Sequence, residues 1–319
     1  MRVLITGATG FVGGRLTERL LEAGDVIVGL STSGTWPRSL SHLNSHARVE
    51  AFNIASAGPA ACTELIKRKQ PEVIYHLAAQ SNPQASVDFP IETWNVNLGG
   101  TLNLLEGVRL SELRPRVVLI GSGVSYGSPP TEFIPVDENC PLRPNNPYGA
   151  SKAAADILAI QHVLAYNADI VVARPFNHAG PRQSEKYVLG GLARQVAEVE
   201  RGLKECVIVG NLDVVRDFTD VRDIVEGYYL LAKLGAAGEI YNIGRGVGTR
   251  IQDALDFLIS QANRPIQVHV DPARMRAVDS PYLVANPAKF RRTTGWSPKY
   301  TIEQTLKDML DEQRRAIMQ

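Results

Sequence analysis

The stretch "TGATGFVGGRL", residues 6–16, decides the fold. Gly7, Gly10 and Gly13 recur at every third position, directly after the apolar run "RVLIT" (2–6). They also open a helical pattern, "FVGGRLTERLLEA" (11–23), that stops at Gly24. A GxxGxxG loop between a first strand and a first helix is a variant of the dinucleotide fingerprint. Its glycines permit a tight turn and let backbone N–H groups close on a pyrophosphate, while the helix N-terminus adds partial positive charge. Glycines also mark ordinary turns, and it is the placement between strand and helix that favours the dinucleotide reading.

Outward from this loop, strand-like and helix-like runs alternate. "VIVGL" (26–30), "RVEAF" (48–52), "EVIYHLA" (72–78), "RVVLIGS" (116–122) and "DIVVARP" (169–175) read as strands. Helical stretches are expected near 60–69 and 92–110 and over 147–166. Continuous apolar, β-branched runs separated by helices predict parallel strands buried on both faces. The fold class is therefore α/β, a doubly wound parallel sheet of the Rossmann type. The second half is less regular. It predicts helices at 187–201, 221–234, 251–262 and 301–316, a strand pair around 206–218, and strands at 239–244 and 266–270. No repeat or low-complexity linker divides the chain, so a smaller substrate-binding part should be interleaved with the first. Residues 1–175 with about 210–243 are expected to form the NAD(P)-binding unit, and 176–209 with about 244–319 the other.

The bulk composition narrows the function classes. The 319 residues carry 34 Lys plus Arg and 33 Asp plus Glu, a net charge of +1. That balance offers no support for nucleic-acid or membrane-surface binding, and leaves a small anionic substrate open. Cys62, Cys140 and Cys206 are far apart and form no CxxC, which suits a reducing compartment and suggests neither a disulfide framework nor a metal site. "MRVLITG" reads as a strand rather than a secretion signal, and no apolar run approaches transmembrane length. A cytoplasmic protein is expected.

"NPYGASK" (146–152) places Tyr148 and Lys152 four residues apart, on one face of a helix. Asn145 or Asn146 can cap that helix and Pro147 suits its first turn. Packing alone could explain such a pair. The chemical alternative is acid–base work. Free tyrosine titrates at about 10, and a nearby ammonium and an oxidised nicotinamide ring would favour the phenolate and lower that value. At the end of the second strand, Ser31, Thr32 and Ser33 stand where an NAD-binding site carries a carboxylate. NADP is therefore expected, with NAD possible, and Arg38 is the nearest cation for a 2′-phosphate. The other reading is that these are turn residues.

With these motifs in place, the chain resembles the extended short-chain dehydrogenases/reductases. The matching segments are the glycine loop, "HLAAQS" (76–81), "NLGGTLNLLE" (97–106), "GSGVSYG" (121–127) and "YGASK" (148–152), in the family's order. The resemblance implies a catalytic triad of Ser122, Tyr148 and Lys152, with Asn97 at a structural position. Tyr148 would exchange a proton with a substrate oxygen, Ser122 would hydrogen-bond that oxygen, and Lys152 would also hold the nicotinamide ribose. Cofactor contacts are implied for Gly7, Gly10, Phe11, Val12 and Gly13, and for Ser31, Thr32 and Ser33. They are implied further for Asn53, Ile54, Leu77, Ala78 and Ala79, and for Asn97, Tyr148, Lys152 and Arg174. His76 is expected to orient its loop rather than to act on substrate.

Downstream, "RPFNHAGPRQS" (174–184), "GNLDVVRDFTDVRDIVEGYYLL" (210–231) and "GVGTRIQDALD" (246–256) look like the GDP-4-keto-6-deoxy-mannose reductases, which form GDP-rhamnose. That likeness implies a GDP-sugar substrate held by Ser81, Ser122, Asn177, Val188, Arg216, Arg276 and Asp279, and a homodimer built on helices 97–110 and 147–166. Arg216 and Asp217 could instead be a surface ion pair and Arg276 a solvated charge. His178 is open between a ligand contact and a satisfied backbone carbonyl. Four functions compete: a C4 reductase, a 4-epimerase, a 4,6-dehydratase and a non-catalytic nucleotide-sensing or RNA-associated binding protein. The triad speaks against the last. The 4,6-dehydratases place an acidic residue two positions before the tyrosine that matches Tyr126; here that position is Val124, beside Gly123, which speaks against the third.

Overall fold

The computed structural model describes residues 1–275 and 280–318. Six strands occupy the expected places: β1 (Arg2–Thr6), β2 (Val26–Ser31), β3 (Arg48–Ala51), β4 (Val73–His76), β5 (Arg116–Ile120) and β6 (Ile170–Pro175). With the strand Ile240–Ile243 they form one sheet in the order Ile240–Ile243, β6, β5, β4, β1, β2, β3, with every pair parallel. Alternate residues face opposite sides of a strand, and here both sides are apolar. Val3, Ile5, Tyr75, Val118, Ile120 and Val171 pack on one face, with Leu16, Leu20 and Tyr228 above them. Leu4, Ile74, Val117, Leu119 and Val172 pack on the other, under Ile54, Leu65 and Leu104.

A second core joins the helices Val188–Glu200, Ile251–Ser260 and Ile302–Ile317 through Leu192, Val196, Leu255, Leu258, Leu306 and Leu310. Val207, Val209, Val214 and Phe218 belong to this core, whereas Val221 and Ile224, on the helix Val221–Leu234, pack in the core against the sheet. The chain thus returns to the sheet between Phe218 and Val221.

The strand pair expected around 206–218 does not exist as a pair. Cys206–Val209 runs parallel to Gln267–Val270, and Val215–Asp220 pairs with Gly248–Arg250, Tyr282–Leu283 and Asn177–Ala179. The intervening residues form no hairpin turn. A Cβ on Gly210 would lie 2.6 Å from the Arg274 carbonyl oxygen, so the chain there is pressed against another segment. The expected helix at 92–110 is Pro90–Trp94 followed by a π-helical turn, Asn95–Gly99, and then Gly100–Ser111. A periodicity count cannot register one wide turn. Helix Ile54–Lys69 begins six residues earlier than expected, capped by Asn53 and kinked at Gly58–Pro59. Among the described residues, no helix is long and apolar enough to cross a membrane.

The sheet order reverses at β1, which has β2 on one side and β4 on the other. Such a reversal opens a crevice at the carboxyl ends of the strands. Here a buried polar relay closes its floor. The Ala78 N–H donates to Thr6 Oγ1 (3.1 Å), Thr6 Oγ1 bonds His76 Nδ1 (2.8 Å), and His76 Nε2 bonds Thr101 Oγ1 (3.0 Å). Thr101 spends its own proton on the Asn97 carbonyl (2.6 Å), so it accepts from Nε2–H, and Nδ1 accepts from Thr6. The imidazole is neutral. Burial, with the charge of Lys152 behind it, pushes its pKa down to about 3.

The unfolded histidine titrates near about 6.5, so between that value and 3 the unfolded chain binds a proton that the native chain refuses. Stability contributed here is present at pH 7.5 and is lost as pH falls below the unfolded value. The urea midpoint should drop more between pH 7.5 and 5.5 in the wild-type protein than in His76→Gln. Equal drops would remove His76 as a source of acid sensitivity.

Candidate active site

The helix that carries Tyr148 and Lys152 begins where local chemistry requires it. Asn146 caps Pro147–Tyr166 by accepting the Gly149 N–H (2.9 Å), and Pro147 fills the first position, where no N–H is needed. The N–H of Tyr148 is one of the first-turn donors without a helical partner. Buried Ser86 accepts it (3.1 Å) and passes its own proton to the Pro83 carbonyl (2.6 Å). Tyr148 is thereby fixed at the backbone. One turn on, Lys152 is only 5% exposed, and its Nζ donates to the Ile120 carbonyl at the end of β5 (2.7 Å). Two residues beyond Ile120, Ser122 caps the turn Gly123–Tyr126 by accepting the Val124 N–H (3.1 Å), and its side chain is near enough to the Tyr148 phenol to favour the charged form. The three triad candidates converge at the carboxyl end of the sheet.

A nearby ammonium and an oxidised nicotinamide were together expected to pull the Tyr148 pKa down, and the groups of the protein alone do not do so. Burial pushes it up to about 12, and the neighbouring Ser122 only partly opposes that. The ammonium of Lys152 is directed at Ile120, and burial lowers its own pKa to about 8, with Asp156 acting in the other direction. Near neutral pH the phenol keeps its proton.

Asn97 lies in the π-helical turn and works with both ends of its amide. Its Oδ1 accepts the Gln80 N–H (2.8 Å), and its Nδ2 donates to the Gln80 carbonyl (3.1 Å) and to Ser151 Oγ (2.9 Å). Ser151 in turn donates to the Tyr148 carbonyl (2.8 Å). Asn97 therefore ties the loop after β4 to the helix that carries Tyr148 and Lys152.

The glycine loop has the shape that a dinucleotide needs. Gly7 has φ +70°, and a Cβ on Gly13 would lie 2.3 Å from the Gly7 carbonyl oxygen, so neither tolerates a side chain. Gly10 caps helix Phe11–Glu22 without a side-chain acceptor, which leaves its first-turn N–H groups for an anion. Leu77 donates its N–H to the Thr6 carbonyl (3.2 Å), bringing Leu77, Ala78 and Ala79 beside the loop. At the end of β2, Ser31 is buried and accepts the Gly34 N–H (3.0 Å), whereas Thr32 and Ser33 are exposed. Asn53 caps its helix and Ile54 sits in the core. The side chain of Arg174 is committed to Asp156 and Tyr126 within the protein.

On the smaller unit, Asn177 pairs in register with Phe218, two residues from Arg216, so the two candidates lie on adjacent strands. Asp217 is not half of a surface ion pair. It is fully buried and accepts N–H bonds from Arg245, Gly246 and Ala285 (2.8–3.2 Å). Val188 is exposed at the start of its helix, and Arg276 and Asp279 lie outside the described residues. His178 stacks on Phe11 with rings 6.3 Å apart and bonds the Phe176 carbonyl, which links the smaller unit to the glycine loop. Tyr187 was missed in the sequence: its hydroxyl bonds Ser81 (2.9 Å), and its position carries no motif.

Comparison with known proteins agrees with this geometry. The family model for GDP-mannose 4,6 dehydratase matches residues 4–309. The GDP-6-deoxy-D-mannose reductase of Pseudomonas aeruginosa is 32% identical over 98% of this chain and 96% of its own. A UDP-glucose 4-epimerase of Mycolicibacterium smegmatis is 30% identical over 95% of each chain. The structure of RMD from Pseudomonas aeruginosa complexed with NADPH superposes with a TM-score of 0.86 at 30% identity, over 99% of this chain and 100% of that one. This chain belongs to the GDP-mannose 4,6 dehydratase family, within the extended short-chain dehydrogenases/reductases.

Proposed function

We propose that the protein reduces the C4 keto group of a GDP-4-keto-6-deoxy-hexose with NADPH, converting GDP-4-dehydro-6-deoxy-D-mannose to GDP-D-rhamnose. The observation that carries this reading is the convergence of Ser122, Tyr148 and Lys152 at the carboxyl end of the sheet, beside a turn whose Gly123 and Val124 carry no second acid–base group. When bound, the reduced nicotinamide supplies a hydride to the sugar C4. Tyr148 gives its proton to the carbonyl oxygen, Ser122 holds that oxygen, and the phenolate recovers a proton from solvent. Lys152 keeps a positive charge beside the site. The dinucleotide would lie along the seven-stranded unit, where the end of β2 offers hydroxyls and no carboxylate. Asn177 and Arg216 suit the diphosphate of the sugar nucleotide, because amide and guanidinium donors match phosphate oxygens. The likeness to a GDP-6-deoxy-D-mannose reductase and to a structure complexed with NADPH supports the same reading.

Tyr148→Phe deletes one hydroxyl and should leave cofactor binding intact. Turnover of GDP-4-keto-6-deoxy-mannose, measured with NADPH and with NADH, should fall by roughly 10²–10⁴-fold. Near-normal turnover in that variant would rule Tyr148 out as the acid.

Dehydration of GDP-mannose requires a base for the C5 proton and an acid for the departing C6 oxygen. Gly123 and Val124 carry no such group, and Ser125 is buried with its proton donated to the Gly149 carbonyl (3.2 Å). Incubation with GDP-mannose and NADP should therefore yield no 4-keto-6-deoxy product by mass. Accumulation of that product would overturn the reductase reading in favour of the lyase.

We infer in addition that the protein is a homodimer. Leu102 and Leu110 on helix Gly100–Ser111, with Ile157 (67%) and Leu164 (81%) on the catalytic helix, expose apolar surface on two neighbouring helices. Light scattering should give twice the 34.8 kDa chain mass, and Leu164→Asp should shift it towards one. A single-chain mass for the wild type at micromolar concentration would reject the dimer.

A further inference from the structure

Arg174 leaves β6 with its guanidinium buried and pointing in two directions. Its Nε donates to Asp156 Oδ2 (2.7 Å), one helical turn beyond Lys152. Its Nη1 donates to the Tyr126 hydroxyl (2.9 Å), at the end of the turn that Ser122 caps. Tyr126 passes its proton to Asn242 Oδ1 (2.8 Å), and Asn242 Nδ2 donates to the Val136 carbonyl (3.0 Å). The carboxylate of Asp156 is pressed against the end of β5: a Cβ on Gly121 would lie 2.6 Å from its Oδ1. Gly121 itself sits between Ile120, which receives Lys152, and Ser122.

We propose that Arg174 is a positioning residue, one rigid fork that sets the spacing between the turn carrying Ser122 and the helix carrying Tyr148 and Lys152. The proposal rests on the reading of those three residues as catalytic. Family resemblance points Arg174 at the dinucleotide, yet its side-chain hydrogen bonds go to the protein. A guanidinium can donate along two directions at fixed angles, which a lysine ammonium on a flexible stem cannot reproduce. The arrangement is therefore specific to arginine, and a plain buried ion pair would not need the second arm. Asp156 has a further part, since its negative charge opposes the effect of burial on the Lys152 ammonium.

The Tyr126 arm can be cut without disturbing the ion pair. In Tyr126→Phe, kcat for reduction should fall about tenfold, because ångström-scale misplacement of catalytic groups costs up to about a hundredfold. KM should stay near wild type, while the thermal midpoint drops by a few degrees because Arg174 and Asn242 each lose a buried partner. Arg174→Lys should lose about as much or more, and the double variant should be no worse than Arg174→Lys alone, since both cut the same arm. A readout free of any substrate is amide hydrogen exchange in the peptide spanning 121–127, where the Val124 N–H bonds Ser122. It should quicken about tenfold in Tyr126→Phe. Wild-type exchange in that peptide, wild-type kcat in Tyr126→Phe, or multiplicative losses in the double variant would each overturn the proposal. Tyr148→Phe separates the two ideas. If it abolishes turnover while Tyr126→Phe is silent, the fork fails and the catalytic reading stands; if it keeps turnover, the catalytic reading fails and takes the proposal with it.

Discussion

A buried ammonium is the constraint around which this protein is organised. Taking such an ion out of water costs several kcal/mol unless neighbouring groups compensate. Lys152 meets that cost with the Ile120 carbonyl and with the nearby charge of Asp156. Each partner imposes a further condition. For the carbonyl to be free at the right place, β5 must end at Ile120 and the chain must turn at once, which the Ser122 cap achieves. For Asp156 to approach, position 121 must lack a side chain, and Arg174 must answer the second buried charge. The helix start, the strand end and the capping turn are consequences of one charge placed where water is scarce.

Much of this was legible in the sequence, because it depends on local rules. The glycine loop, the continuous apolar strands and the Asn-Pro start of the catalytic helix are short-range signals, and the helix Pro147–Tyr166 lies where its pattern predicts. Interactions that join distant segments were less readable. Asp217 looked like half of an ion pair because Arg216 adjoins it, whereas three backbone N–H groups from two remote segments claim it. Ser86 supports the catalytic helix from a stretch without any motif. The sign of the Tyr148 shift was also beyond sequence, since spacing measures proximity along a helix and says nothing of desolvation. The i, i+4 relation of Lys152 and Asp156 was the one available clue to the network behind the site.

The family contains chemistries that differ by very little structure. A reductase, an epimerase and a dehydratase can share the same sheet, the same tyrosine and the same cofactor groove. The turn after β5 bears on one of these differences, because dehydration needs an acid–base pair beyond the tyrosine. In this protein that turn carries Gly123, Val124 and a Ser125 whose hydroxyl donates to the Gly149 carbonyl, so it offers no carboxyl group.

The sheet order has a consequence for the protein during its synthesis. Strand β6, "IVVARP", is an interior strand only because Ile240–Ile243 lies against its outer side. Until residue 243 has left the ribosome, β6 is a bare edge: unpaired backbone groups along a flat apolar ribbon. Edges of that kind template unwanted pairing with other chains. The nascent protein must carry this exposed edge through the synthesis of the whole intervening segment, so its hazard is greatest during translation, before the finished fold exists.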